Sequence, residues 1–300
     1  MEPWVPASGH PYSTAIYAES HRRRNVVPLA VPPWGTHVLL QRTAGRGSPL
    51  VATGLYPWTS LDPGCDLAGG LRFLKDQGIA SVTILTDPVW CPPLDSLQST
   101  FAVCRPLKPA YIMDRSIGST IRKRHRNRIN NANRLCRVHQ VGFAEYIDEW
   151  WNIYSRLVDR KDIAETQRVP RESWETIAEL PGLVSFAAFE GGTLLAISLW
   201  IRYRDAAGGH FTACTDRGYE ILASYACYAR ALSYFHDCRL INFGGRTGVV
   251  ESETDGLAEF KRGFANVTRT SYLCASAWLT AAREPRPSSS QPSPAVATDH

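Results

Sequence analysis

Two stretches of the 300-residue chain crowd together residues able to do chemistry. In the first, Arg122, Lys123, Arg124, Arg126, Arg128, Arg134 and Arg137 set seven fixed positive charges within sixteen residues that hold no Asp or Glu. Like charges three and four apart on a helix repel one another, so an uncompensated run predicts an anion alongside it, and a phosphate backbone is the natural one. The plainer reading is a solvated face, or ion pairs with acids elsewhere such as Asp148 and Glu149. The second stretch runs Asn242-Phe243-Gly244-Gly245-Arg246 and resumes at Asp255-Gly256-Leu257-Ala258-Glu259-Phe260-Lys261-Arg262-Gly263-Phe264. Glycines directly after a strand let the backbone approach a ligand, and Lys261 and Arg262 bring cations to the same sheet end. An acyl carbonyl or a phosphate could be held there. A tight turn with surface basic residues is the alternative, but Lys261 is one of only five lysines among 33 basic residues and stands between Phe260 and Phe264.

These residues need elements to position them. Residues 119–137 hold no Pro or Gly and start on Ser-Thr, which predicts a helix with Ile121, His125, Ile129, Ala132 and Cys136 on its inward stripe. A longer helix is expected over 143–159, its aromatics Tyr146, Trp150 and Tyr154 reading as core. Leu183 to Phe189 and Leu194 to Tyr203 read as a hairpin closed by Gly191-Gly192. A Gly208-Gly209 turn, a strand over 210–214, a helix over 219–238, a strand over 240–243, a short helix over 256–263 and a strand over 271–277 follow. Upstream, a strand at 37–42, an apolar segment at 49–58, a helix over 66–77 ended by Gly78, a strand over 81–86 and a further segment near 100–103 alternate as in α/β proteins.

The composition, 44% apolar and 20% charged with nine Trp and twelve Tyr, is that of a globular protein and excludes disorder of the whole chain. The net charge of +5 does not by itself call for nucleic acid, and 28 of the 33 basic residues are Arg. No run of about 18 apolar residues occurs and the N-terminus lacks the features of a signal peptide, so a cytoplasmic protein without a membrane segment is expected. The eight cysteines are scattered without a C-x-x-C pair or metal-ligand spacing, which predicts buried reduced thiols and no metal site.

Arg126-Asn127-Arg128-Ile129-Asn130-Asn131-Ala132-Asn133-Arg134 is similar to the R-x-x-I-x-x-A-x-[KR] helix of the Fem family, the aminoacyl-tRNA-dependent transferases that build peptidoglycan bridges. Phe243-Gly244-Gly245 and the segment Gly256 to Phe264 resemble that family's second signature, a strand ending in F-G and then a glycine, an apolar residue and F-K. The similarity covers about 116–278. It implies an α/β (α+β) fold of two GNAT-like halves, the first degenerate, with mixed sheets flanked by helices. On this reading residues 1–35 are an irregular N-terminal segment, 36–115 the degenerate first half, 116–139 a basic linking helix, 140–280 the second half and 281–300 a disordered tail.

The resemblance further implies amide formation between an amino acid carried on tRNA and an amino group of a small peptide or nucleoside metabolite, as in antibiotic biosynthesis, or of a peptidoglycan precursor. Lys261 matches the family lysine near the reacting centre. Asp216, Glu220 and Asp255 are candidate proton acceptors, and Arg122, Lys123, Arg126, Arg134, Arg246 and Arg262 candidate tRNA contacts. No cofactor is needed beyond aminoacyl-tRNA as co-substrate. The helical arm that some members insert is missing between Asp159 and Leu180. An ordinary acyl-CoA-dependent GNAT enzyme is the alternative, weakened because its pyrophosphate turn would read Asp216-Arg217-Gly218-Tyr219-Glu220, with one glycine and a carboxylate near the anion. A non-catalytic RNA-binding protein is a third reading; it accounts for the basic helix but not for the F-K segment.

Overall fold

The computed structural model describes residues 9–23, 25–42, 48–118, 121–245 and 256–278. In chain order the elements are α1 (Ala15–Glu19), β1 (Val26–Val31), β2 (Thr36–Arg42), β3 (Leu50–Gly54), α2 (Leu67–Asp76), β4 (Ser81–Leu85), α3 (Leu94–Thr100) and β5 (Val103–Asp114). Then come α4 (Lys123–Leu135), β6 (Arg137–Val141), α5 (Ile147–Arg160), α6 (Arg171–Ala178), β7 (Leu183–Glu190), β8 (Thr193–Tyr203) and β9 (Ala206–Cys214). Last are α7 (Asp216–Glu220), α8 (Ala223–Tyr234), β10 (Leu240–Gly245), α9 (Gly256–Arg262) and β11 (Val267–Ala277).

Among the described residues the strands join in one eleven-stranded sheet of order β1-β2-β3-β4-β11-β5-β10-β9-β8-β7-β6. Its pairing is mixed, with β3–β4 and β9–β10 parallel and the other neighbours antiparallel. The C-terminal strand β11 lies between β4 and β5, so the upstream strands reach their central partner only once the end of the chain has arrived. On one face α5 and α6 bury Trp150, Tyr154 and Trp174 against β8 and β9, with Trp150 and Trp174 edge-to-face at 5.0 Å. On the other, α8 packs Tyr225, Tyr228 and Leu232 with Trp200 and Phe243, and α4 lies over α8 through Ile129 and Ala132. No helix among the described residues is long and apolar enough to cross a membrane.

Several elements differ from the sequence reading. The basic helix begins at Lys123; Ser119 and Thr120 lie outside the described residues, Cys136 is already extended and Arg137 opens β6. The 143–159 helix is a 3-10 turn over Phe143–Tyr146 followed by α5. Gly208 and Gly209 lie inside β9, and the hairpin turns instead at Arg204-Asp205, where Arg204 takes φ +50°. The single helix expected over 219–238 is broken at Leu222, φ +62°, into α7 and α8, because Gly218 is pressed against the Leu195 carbonyl and the chain must turn before α8 can bury its apolar face.

Strand β5 reads poorly in sequence because Pro106 and Pro109 interrupt it, and prolines are ordinarily confined to edges and bulges. Here β5 is central, but β10 pairs it only from Ala110 to Asp114, and its register with β11 shifts between Ser271 and Tyr272, opposite Lys108 and Pro106. Within the stretch that reads as irregular, β1 is an edge strand, where Pro28 needs no ladder donor on its open side. The eight cysteines are free; five are buried as expected, whereas Cys65, Cys91 and Cys104 are half-buried, and burial raises the thiols of Cys214 and Cys227. The tail 281–300 lies outside the described residues.

Candidate active site

Strands β9 and β10 run parallel for three residue pairs only, Ala206 to Gly208 against Leu240 to Asn242, and then part. On its other edge β10 bulges against β5, Phe243 and Gly244 together facing Tyr111 between the pairs Asn242–Ile112 and Gly245–Ala110. Bulges of this kind aim side chains at sheet rims. Gly244 sits at φ +81°, a conformation open to glycine, and its N–H is held by the Asn242 side-chain oxygen at 2.8 Å. Lys261, on the last turn of α9, reaches back to this bulge and donates from Nζ to the Gly245 carbonyl at 2.7 Å. A Cβ on Gly244 would stand 3.1 Å from that Nζ and 4.0 Å from the ring of Trp58, which is 5% exposed. Trp58, the Gly244-Gly245 backbone and the Lys261 ammonium therefore meet at the gap where β10 ceases to pair with β9.

The two stretches singled out in the sequence meet in space. The Arg122 N–H bonds the Gly263 carbonyl, His125 Nε2 lies 3.0 Å from the Phe260 carbonyl, and Arg124 pairs with Glu259 at 3.0 Å. A Cβ on Gly263 would fall 2.0 Å from the His125 ring, so only glycine lets α4 and α9 approach this closely. Phe264 and Tyr225 close round the same imidazole, each with its ring centre 5.1 Å away. Burial depresses the His125 pKa, which suits a neutral ring in this contact.

The cations of α4 fall into two sets. Arg124 is neutralised by Glu259, and Arg128 lies over Tyr225 and donates to its hydroxyl. Among the described residues Arg126 bonds the Ile121 carbonyl and Arg137 the Asn133 and Cys136 carbonyls, and neither has an ion pair to balance its charge. Arg122, Lys123 and Arg134 are exposed without an ion pair among the described residues. Arg262 donates to the Tyr111 hydroxyl at 3.3 Å and lies over that ring. Of the carboxylates, exposed Asp216 is ion-paired to Arg160, and Glu220 sits 3.2 Å from Arg217. No contact joins either to Lys261 among the described residues. Arg246 and Asp255 lie outside those residues.

Two features escaped the sequence reading. Lys108, on β5, lies against Gly245: a Cβ there would stand 3.5 Å from Lys108 Cδ. The nearby prolines concealed its strand. The second is a buried polar group where the N-terminal stretch meets both sheet regions. Asp87 is fully buried, accepts from the N–H groups of Val89 and Trp90, and has Oδ2 3.6 Å from His10 Nε2, while the His10 ring lies 4.0 Å from that of Tyr203. Desolvation pushes the Asp87 carboxyl up to about 7 and the His10 imidazole down to about 3.

The unfolded chain releases the Asp87 proton near pH 4 and the folded chain near 7, so between those values the folded state holds more protons and stability falls as pH rises. Asp87→Asn keeps the acceptor for Val89 and Trp90 and cannot ionise. Its unfolding free energy, from urea titrations, is expected to gain on the parent's between about pH 4 and 7, by up to about 1.4 kcal/mol per pH unit, and to keep a constant margin above that window. Parallel curves would show that Asp87 does not titrate there.

No family model matches the chain, and no curated protein matches it in sequence. Among the solved structures similar in fold are three. A conserved protein of unknown function from Bacteroides thetaiotaomicron is 15% identical with a TM-score of 0.61, over 91% of this chain and 94% of that one. FemX is 11% identical at a TM-score of 0.60, over 89% and 93%. L-PGS from Bacillus licheniformis is 16% identical at 0.55, over 83% and 88%. The fold is the mixed α/β fold that FemX has. The expected mixed α/β architecture is thus found; at these identities the likeness carries the fold alone.

Proposed function

We propose that the chain is an aminoacyl-tRNA-dependent N-acyltransferase, forming an amide between a tRNA-borne amino acid and an amino group of a small peptide, a nucleoside metabolite or a peptidoglycan precursor. The observation that carries this reading is the junction of α4 with α9, which sets a row of uncompensated cations beside the gap that holds Lys261. A cationic helix suits a phosphate backbone, and a gap bordered by glycine backbone and one ammonium suits an acyl carbonyl. FemX, whose fold this chain shares, adds weight through the family resemblance of the same two stretches.

The chemistry asks little of the protein beyond position. An aminoacyl ester is already activated, so attack by a neutral amine needs no enzyme nucleophile, only alignment and a charge to meet the oxygen that becomes negative. Lys261 fills that role. Its bond to the Gly245 carbonyl fixes the ammonium at the bulge, within reach of an oxygen placed over the glycine backbone.

The test supplies candidate amine acceptors with a mixture of charged tRNAs and follows amide product with and without ribonuclease. Product abolished by ribonuclease is expected. Product that needs acyl-CoA and ignores ribonuclease would replace this reading with that of an acyl-CoA enzyme, and retained RNA binding without product from any donor would make the chain a binding protein.

A further inference from the structure

Lys108 stands beside the same glycine pair as Lys261 but in a different setting. It shares a sheet face with Ala110 and Ile112, at spacings of two and four along β5, and those residues pack in one core with Trp58. A Cβ on Gly245 would lie 3.5 and 3.6 Å from Lys108 Cδ and Cε, so its stem runs along the backbone whose carbonyl holds the Lys261 ammonium. Among the described residues no hydrogen bond or ion pair holds the Lys108 amine. A half-buried ammonium without an acceptor is costly, and shedding the proton removes that cost.

We propose that Lys108 is the proton carrier of the amide-forming step: as a neutral amine it takes the proton from the attacking nitrogen, and as an ammonium it returns that proton to the departing ribose oxygen. This rests on the function proposed above. The new bond is acyl carbon to acceptor nitrogen, the broken one acyl carbon to ribose oxygen, and Lys108 ends the cycle neutral as it began. Two lysines flanking one glycine pair then divide the labour. Lys261, donating to a carbonyl, meets the oxyanion, whereas Lys108, desolvated and unheld, is the one whose proton burial loosens.

The surroundings of β5 agree. Burial lowers the Lys108 pKa. The charged and titratable groups on elements around it are engaged with one another: Arg269 of β11 with Asp114, Arg262 with the Tyr111 hydroxyl, and Glu259 with Arg124. Cys104 of β5 faces Cys274 of β11, Sγ to Sγ at 3.5 Å. Arg105 of β5, Tyr272 of β11 and Asp95 of α3 complete the described set, and β10 carries no titratable side chain. Among the described residues no carboxylate is paired with Lys108 to hold its charge.

Two substitutions decide the matter. Lys108→Met removes the base, and Lys108→Arg keeps the charge but cannot lose its proton. Both are expected to lower kcat by about 10²-fold or more, with KM for charged tRNA within about twofold of the parent and the acid limb of the parent's kcat–pH profile flattened. An arginine variant that keeps half the parent's kcat would make Lys108 a charge for phosphate, and a methionine variant that keeps it would make Lys108 a packing residue; either overturns the proposal. Folding is followed by circular dichroism. Independently, competitive labelling of the wild type with trace acetic anhydride across pH is expected to titrate Lys108 below the ordinary lysine value of about 10.4, and an ordinary value overturns the proposal. Wild-type product that depends on acyl-CoA would end the tRNA reading and leave the same two variants to decide on Lys108.

Discussion

Lys261→Ala is expected to lower the rate of amide formation by about 10²-fold or more while leaving the fold intact. The argument is geometric. Nζ of Lys261 lies 2.7 Å from the Gly245 carbonyl at the place where β9 and β10 part, so the side chain is held extended toward the gap instead of wandering in solvent. A preorganised donor aimed at a developing oxyanion is commonly worth ~2.7–4 kcal/mol, which is the source of the rate estimate. Truncation also removes one neutral carbonyl's partner, at a cost of about 1–3 kcal/mol in stability. The fold should survive that, since α9 keeps its contacts through His125, Gly263 and Phe264. Lys261→Arg would keep charge but not the fit beside Gly244, and it is expected to restore only part of the rate. Turnover of Lys261→Ala near that of the parent, measured with saturating charged tRNA, would remove Lys261 from the chemistry.

The second large effect concerns binding. Changing Arg122, Arg126 and Arg134 together to Gln is expected to raise KM for charged tRNA and to flatten its salt dependence, with KM for the acceptor unchanged. These three are exposed and carry no ion pair among the described residues, whereas Arg124 and Arg128 are already engaged by Glu259 and Tyr225. Each lost phosphate contact removes roughly 0.7–0.9 from the log–log slope, so the triple change should remove about 2 to 3. Phosphate contacts carry no base identity, and discrimination among tRNAs should persist in the variant. As a control, Arg124→Gln should scarcely alter the slope, because its charge is balanced by Glu259. Should the triple variant bind tRNA with the parent's slope, α4 is a solvated structural helix and the RNA footprint lies elsewhere.

Much of this site was legible in the chain because it rests on local rules. The stripe Ile121, His125, Ile129, Ala132 and Cys136 told which face of the basic helix turns inward; the last four are buried and Ile121, ahead of the helix, is half-buried. The Gly191-Gly192 hairpin follows from a two-residue loop that requires positive φ, found at +56° and +87°. Asp66 caps α2 through the Gly69 N–H at 2.7 Å, and Gly78 ends that helix region at φ +73°. Each of these depends on residues a few positions apart, and side-chain chemistry at that range is nearly context-free.

Other features depended on partners far along the chain. The composition and spacing of the F-K segment and the basic helix were enough to single out both, yet nothing local says that Gly263 must admit the His125 ring, a contact across more than a hundred residues. Lys108 was hidden because Pro106 and Pro109 forbid a regular ladder, and only the register shift against β11 and the short pairing with β10 make room for them in a central strand. Asp87 and His10 carry no motif that singles them out in sequence; folding strips both of water and sets them 3.6 Å apart. By itself, then, the sequence determined the elements that rest on local signals, such as α2, the β7–β8 hairpin and the inward face of α4, and the two cationic stretches, because propensity, capping and periodicity act over one or two turns. The tertiary structure alone decided which cations stay uncompensated and which lysine loses its water, because charge balance and desolvation are set by whatever the rest of the chain packs against a residue.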